Sequence, residues 1–427
     1  MYARLIAFIE QTNLHYGFLL LFLFFYHAVY VAVALARRLW PQAPDAPAAP
    51  HRYAVLISAR NEEAVLSRLI GSLLAQRYPA ECLRIFVVAD NCQDATAEVA
   101  RRAGATVYER HDPEHRGKGY ALNWLLSRME ADGHTAFDGY FVFDADNVAE
   151  PDFVSRMNDT FSTGRYGAIT SYRNAGNYGE NWVSAGYGLW FLREACFLNA
   201  PRSALGVSCH LSGTGFLASA EVIRQNGGWP FHLLTEDIEF SADCVAKGIR
   251  IGFCPDAVIY DEQPTSFRQS WVQRERWCRG FLQVLRRSGA RLLRGLLSGG
   301  LRQRWSCYDM LMLLSPAALL AGFTGFLALL FLYSVIFMPV ESPWVLLYIV
   351  RMLLMAAVQN YGLFFAYGLG ALLCERRRVQ CSMGRALVLL LTFPVFVFSY
   401  APITITSLFR RVEWKPIVHT GARTYRE

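Results

Sequence analysis

Four apolar runs, residues 17–36, 308–338, 344–374 and 383–409, constrain this chain more than any other feature. Each is long enough to cross a hydrocarbon core of about 30 Å once and too short to cross it twice. Ala34-Leu35-Ala36 before Arg37 and Arg38 also fits the end of a signal peptide. The length of the first run and the absence of a basic cluster before it favour a span, because cleavage would export the domain that follows. The positive-inside rule then puts Arg37 and Arg38 in the cytoplasm and the N-terminus outside. One span before and three after would leave the C-terminus outside, against Arg410, Arg411 and Lys415. The alternative is that the last run breaks at Pro394 or Pro402 and re-enters. The tail at Trp414 to His419 reads as an interfacial aromatic anchor.

Charge follows the same plan. The net charge is +7, but between positions 265 and 305 ten arginines stand against one glutamate, and Arg376, Arg377 and Arg378 follow the third run. Basicity beside apolar runs points to an anionic cytoplasmic leaflet rather than to nucleic acid. Phe267, Trp271, Val272, Phe281, Leu282 and Leu285 recur at near-helical spacing among those arginines, so residues 265–305 are predicted to form amphipathic helices at the membrane interface. Most of the arginines serve as anchors on this reading. Gln273, Arg276 and Trp277 share one face, where a functional role outweighs anchoring. The ten cysteines have no CxxC pair, which implies reduced thiols and neither zinc nor a disulfide framework.

Residues 41–52 form a linker rich in proline and alanine. From Tyr53 short apolar strands (53–58, 84–90, 106–109, 139–144) alternate with helical patterns (62–74, 95–103, 119–129), which predicts a parallel, doubly wound α/β domain over 53–264. Ligands in such sheets bind beyond the carboxyl ends of strands, and Asp90 and Asp144 lie there. The aromatic-rich stretch 182–198 is predicted to be a second surface helix. Residues 212–216 read as a tight glycine loop, and Thr235 as the N-cap of a helix beginning at Glu236.

The chemistry is carried by carboxylates. Asp144 and Asp146 are spaced to share a divalent cation and a diphosphate, although acidic turns after strands are common. Asn61 and Glu62 lie after the first strand, beside the same crevice. Lys118 sits between Gly117 and Gly119, which allow a phosphate to approach, without the spacing of an ATP-binding phosphate loop. Asp237 is a candidate general base, although taken alone Glu236 and Asp237 read better as first-turn acids favoured by the helix dipole, and only the whole constellation reverses that.

In order, Ser58 to Glu62, Val88 to Asp90, Gly117-Lys118, Asp144-Ala145-Asp146, Thr235 to Asp237 and Gln273 to Trp277 resemble the motifs of membrane-embedded family 2 glycosyltransferases. These include the cellulose, chitin and hyaluronan synthases, and the layout is most similar to that of the bacterial chitooligosaccharide synthases. The resemblance implies a GT-A (Rossmann-like) cytosolic domain over 53–264 and a multi-pass protein of the plasma (inner) membrane, with one helix in 1–40 and about three in 306–427. It implies that Asn61, Glu62, Asp90, Lys118, Asp144, Gln273 and Arg276 bind a nucleotide-sugar, usually a UDP-sugar, and that Asp144 and Asp146 hold Mg2+ or Mn2+. Asp237 is then the base of an inverting transfer, with Trp277, Gly213, Thr214 and Glu236 on the acceptor side. The glycine loop departs from the better-known variants, so the acceptor, saccharide or lipid, is left open.

Three functions compete. The leading one, a synthase that extends a β-linked poly- or oligosaccharide and also secretes it, requires polar and aromatic residues such as Tyr361, Tyr367, Tyr400 and Thr404 to face a pore. An enzyme that adds a sugar to a membrane lipid requires an apolar groove at the amphipathic helices. A transporter or receptor that merely binds a nucleotide makes the carboxylates dispensable.

Overall fold

The computed structural model describes residues 2–40 and 45–410, so the expected anchor at 414–419 lies outside the described residues. Helices α1 (Tyr2–Phe24) and α2 (Tyr26–Leu39) form an apolar rod that starts well before residue 17. The helix extends because Leu5 and Ile9 pack into a cluster with Leu327, Val345 and Ile349 of later helices. Residues 45–50 lie against the catalytic domain: Asn158 donates to the carbonyls of Ala48 and Ala49 and accepts from the amide of His51.

The domain opens with β1 (Tyr53–Ala59), α3 (Leu66–Leu74), β2 (Leu83–Asp90), α4 (Thr96–Arg102), β3 (Thr106–Arg110), α5 (Lys118–Ala131) and β4 (Gly139–Asp144). Helix α3 starts four residues later than its periodicity suggests. Asn61 is left-handed (φ 56°) and the amide of Glu62 donates to Thr96 Oγ1, which fixes the turn as a loop. Then come β5 (Val148–Ala149), α6 (Phe153–Phe161), β6 (Ala168–Ala175), α7 (Trp182–Glu194) with a π-helical turn at Ala195–Asn199, α8 (Ala200–Leu205), β7 (Phe216–Ser219), α9 (Ala220–Gln225), α10 (Glu236–Ala246) and β8 (Ile251–Asp261).

The sheet order is β3-β2-β1-β4-β7-β6-β8-β5. β3, β2, β1 and β4 are parallel, as alternation predicted, but β7 is antiparallel to both β4 and β6, and β5 is antiparallel to β8. The sheet is therefore mixed rather than parallel throughout. The chain enters β7 from the carboxyl end of β4, where the Gly215 amide donates to Val142, so it has to run back. Both faces are covered: Leu56, Phe86, Val88 and Val142 pack beneath α5, and Val55, Ile57, Val87 and Phe141 against α3 and α6. Burial on both faces explains why these strands read as unbroken apolar runs.

The predicted surface helix at 182–198 is instead an interior one. In α7 only Trp182, Trp190 and Arg193 are not buried, because the helix lies between the sheet and the C-terminal helices. Gly186 and Gly188 bring it into contact with the Phe396 and Tyr178 rings, within 3 Å of where a Cβ would stand. Aromatic richness here serves packing, and the surface reading is overturned.

The amphipathic helices are α11 (Phe267–Ser298) and α12 (Leu301–Leu314), which close a core over α10 through Ile238, Val245, Val284, Leu292 and Met310. Then follow α13 (Pro316–Phe337), α14 (Ser342–Cys374), α15 (Met383–Leu390), α16 (Phe393–Phe398) and α17 (Tyr400–Phe409). Among the described residues three helices, 2–39, 318–337 and 342–374, are long and apolar enough to cross a membrane, or four if α15 to α17 count as one broken span bent by 44°. The run 308–338 is divided at Ser315. Its first turns belong with α11 and α12, since Asp309 is buried and bound by Arg202 at 2.6 and 2.8 Å. The bend in the last run falls just before Pro394, near one of the two expected breaks.

Candidate active site

The carboxyl ends of β1, β2 and β4, the loop before β7, the first turn of α10 and one face of α11 surround a cavity of about 310 Å3. Glu62, Asp90, Lys118, Asp144, Asp146, Gly213, Glu236, Asp237, Gln273, Arg276 and Trp277 all line it. Two residues named from the sequence do not. Asn61 turns its side chain to the amide of Gln93 (2.8 Å), tying the loop after β1 to the loop after β2. Thr214 is buried beneath the cavity, where its hydroxyl accepts from the Asp144 amide (2.8 Å) and donates to Asn147.

Sheet geometry sets the positions of the acids. Asp90 ends β2 opposite Arg110, the last residue of β3, and Arg110 Nη1 donates to Asp90 Oδ1 at 2.6 Å. Burial raises the Asp90 pKa, and Arg110 offsets only part of that shift. Asp144 ends β4 in register with Ser58. Lys118, at the start of α5, donates to Asp144 Oδ1 (2.5 Å) and to the Gly213 carbonyl (2.7 Å), and lies 3.9 Å from Glu236. Burial would lower the lysine's pKa, but the carboxylates of Asp144, Glu236 and Asp237 outweigh it, so the ammonium form is favoured. The flanking glycines have separate uses. Gly117 is left-handed (φ 127°), whereas a Cβ on Gly119 would meet the Phe231 carbonyl at 1.9 Å, so Gly119 is there for packing.

The loop before β7 joins two cations. Its Gly213 carbonyl holds Lys118, and its Ser212 carbonyl accepts from Arg173 Nη1 (2.8 Å), whose Nε donates to Asp261 (2.8 Å). Gly215 is left-handed (φ 62°), and a Cβ there would stand 2.4 Å from Ile259 Cδ1. On α10, Asp237 is 9% exposed and burial raises its pKa. Glu236 is pushed up to about 7, first by burial and then by Asp237, against the pull of Lys118. Thr235 occupies the N-cap position, but its side chain makes no capping bond. It packs against Gly280 of α11 instead, and its hydroxyl has no partner.

Helix α11 is fixed by an arginine with no exposed surface. Arg274 donates to the Phe396 carbonyl (3.1 Å) and Ser399 Oγ (2.7 Å) and lies over the Phe396 ring at 4.3 Å. With α11 so held, Gln273 Oε1 and Arg276 Nε are buried without hydrogen-bond partners at the cavity, and Trp277 stands edge-on to Tyr187 at 5.8 Å. Arg110, Arg173 and Asp261 were missed in the sequence. For Arg110 and Asp261 a charged residue ending a strand was the available signal, whereas Arg173 lies within β6, and the use of all three required the strand pairing.

A divalent cation of the Mg2+ or Mn2+ type fits Asp144 and Asp146: two hard carboxylates at a strand end, with the rest of the shell left to phosphate oxygens and water. Among the described residues no group of three or more His, Cys, Asp or Glu side chains forms a complete protein cage.

Residues 50–280, just over half of the chain, match the family model described as Glycosyltransferase like family 2. The chain belongs to this glycosyltransferase family. Among its relatives, a beta-monoglucosyldiacylglycerol synthase of Synechocystis sp. is 26% identical over 245 residues, 56% of this chain and 50% of the relative. A poly-beta-1,6-N-acetyl-D-glucosamine synthase of Staphylococcus aureus is 25% identical over 239 residues, 54% of this chain and 55% of the relative. The chain thus spans about half the length of the curated relatives it matches. In fold it is similar to the mannosyltransferase PcManGT from Pyrobaculum calidifontis, solved with GDP-Man and Mn2+, at a TM-score of 0.56 and 18% identity over 92% of this chain and 98% of that one.

Proposed function

We propose that this glycosyltransferase transfers a hexosyl group from a nucleotide-sugar to a hydroxyl of a membrane lipid, with inversion at the anomeric carbon, on the cytoplasmic face of the plasma membrane. The observation that carries the reading is the composition of the cavity: Asp237 faces the same space as Asp144, Asp146 and Arg276, and the wall toward the apolar helices carries Trp190, Leu198, Phe281 and Leu313 around Arg193 and Glu194. Asp90 and Glu62 are suited to hold the nucleoside, and Lys118, Gln273 and Arg276 to hold the diphosphate. A bound Mg2+ or Mn2+ on Asp144 and Asp146 supplies positive charge to the leaving diphosphate. Asp237 accepts the proton of the attacking hydroxyl, whose oxygen forms the bond to the anomeric carbon as the bond to the diphosphate oxygen breaks. Arg276 and Lys118 hold the charge that develops on the departing group.

Orientation supports the cytoplasmic placement. Arg38 and Glu375 pair at 2.6 Å, so α2 and α14 end at one level, next to Tyr172 of the sheet, which donates to Glu375. The basic ends 37–38 and 376–378 therefore lie on the catalytic side, as the positive-inside rule requires of a cytoplasmic domain.

A growing β-linked saccharide is the second reading, favoured by the Gln273 to Trp277 motif and the relative from Staphylococcus aureus. Against it, the residues that a pore would need are engaged elsewhere. The Tyr361 hydroxyl donates to the Leu391 carbonyl, Thr404 is buried against Cys278, Tyr400 stacks on Trp190, and the Tyr367 ring stacks on Phe197. The test is product analysis of the full chain in lipid with a panel of UDP-sugars and GDP-mannose plus Mn2+, alongside Asp237→Asn. Label in a single lipid species, absent in the variant, is expected. A saccharide ladder would transfer the assignment to the second reading, and turnover that survives in Asp237→Asn would remove Asp237 as the base.

A further inference from the structure

Helix α7 brings a second charged cluster to the cavity, on the wall that faces the apolar helices. Trp190, Arg193 and Glu194, in the last turns of α7, lie there together with Leu198 of the π-helical turn. The Arg193 guanidinium lies 4.1 Å from the centroid of Trp190 and 5.8 Å from that of Tyr367 on α14, and Trp190 is itself stacked on Tyr400 of α17 at 5.4 Å. The indole is thus occupied in holding a guanidinium and is not offered as a platform for a sugar.

Neighbouring acids have closer partners, and Arg193 acts on Glu194 only as a charge behind His210. Glu194 lies 3.0 Å from His210 Nε2, and Asp309 is bound bidentately by Arg202. No ion pair among the described residues includes Arg193, and its Nε is buried without a hydrogen-bond partner. Lys118 and Arg173, by contrast, are closed by carboxylates. A flat guanidinium, held by an aromatic ring and left with unsatisfied donors, is the geometry that binds phosphate or carboxylate through paired N–H groups. Its neighbours Leu198, Leu313, Tyr367 and Tyr400 suit an anion joined to an acyl or isoprenoid chain.

We infer that Arg193 is a head-group site, and that the acceptor lipid carries a phosphate beside the hydroxyl that Asp237 serves. This rests on the lipid-acceptor reading, so the test separates the two. Binding of dioctanoyl phosphatidylglycerol, whose free hydroxyls stand beside its phosphate, and of dioctanoylglycerol and inorganic phosphate to the full chain is measured in uncharged polyoxyethylene micelles. The phosphatidylglycerol is expected to bind at least tenfold more tightly than the diacylglycerol. Arg193→Gln should abolish that preference and Arg193→Lys should keep part of it, because charge survives while the planar fork is lost. Asp237→Asn, expected to stop transfer, should leave the preference intact. Equal binding of the two lipids, a preference undiminished in both Arg193 variants, or inorganic phosphate binding as tightly as the lipid would each overturn the inference. A preserved preference without any lipid glycosylation would count against the proposed reaction and in favour of the head-group site.

Discussion

At the scale of single residues, the first turn of α10 places two carboxylates side by side, and burial raises the pKa of both. Asp237 has to be ionised to accept a proton, and burial raises its pKa, so transfer should rise with pH along a limb shifted upward from that of an ordinary Asp. Removing the base typically costs about 10^2 to 10^4 in rate, so Asp237→Asn should lose that much at every pH and lose the limb as well, as read in a pH–rate profile. Glu236 affects stability instead. Its folded pKa of about 7 exceeds its ordinary value, so its contribution is fully present at low pH and is lost as pH rises through about 7. Glu236→Gln should therefore change the Tm little near pH 4 and raise it at pH 8. A Tm difference of the opposite sign would refute the account. Sequence position alone marks both residues as first-turn acids favoured by the dipole; in the sequence only the ordered motifs spoke against that reading, and burial beside Lys118 is the structural reason to set it aside.

At the scale of elements, the site depends on how α11 approaches α10. A Cβ on Gly280 would stand 2.5 Å from Thr235 Oγ1 and 2.6 Å from its Cγ2, so the two helices meet where the candidate base is mounted. Gly280→Ala should push Gln273 and Arg276 away from Asp237. A displacement of about 1 Å can reduce catalysis on the order of a hundredfold, so kcat should fall roughly tenfold to a hundredfold while circular dichroism reports an intact fold. Unchanged kcat would mean that the helix gap is slack. The amphipathic period of α11 was legible from residues 267–285, but the partner of each face was not. Arg274 looked like one of many surface anchors, and it is the buried clamp on Phe396 and Ser399.

At the scale of the whole molecule, a buried polar knot helps to join the apolar helices and the catalytic domain. Arg202 of α8 binds both oxygens of Asp309 on α12, and Tyr30 of α2 donates to the same carboxylate at 2.7 Å. Breaking one member leaves an uncompensated buried charge, a loss of about 3–5 kcal/mol. Asp309→Ala or Arg202→Ala should therefore destabilise the protein by about that amount in denaturant titrations in detergent. The double change Arg202→Met with Asp309→Leu should destabilise it less than either single change, since no lone charge remains. Additive losses would show that the pair does not act as a unit.

The sequence by itself determined whatever depends on neighbours a few positions apart: the strands and helices of 53–144, the acids at strand ends, the amphipathic period after Phe267, and the helices long enough to cross a bilayer. The order of its motifs was enough to indicate the family. Tertiary structure alone decided the direction of β7, the burial of α7, and the pairings of Arg173 with Asp261 and of Arg202 with Asp309, which join residues 88 and 107 positions apart. A short apolar run is the same for a strand running either way, and aromatic richness is the same for a helix facing lipid or packed in a core. Which applies is set by what packs against the segment, and that depends on the path of the whole chain.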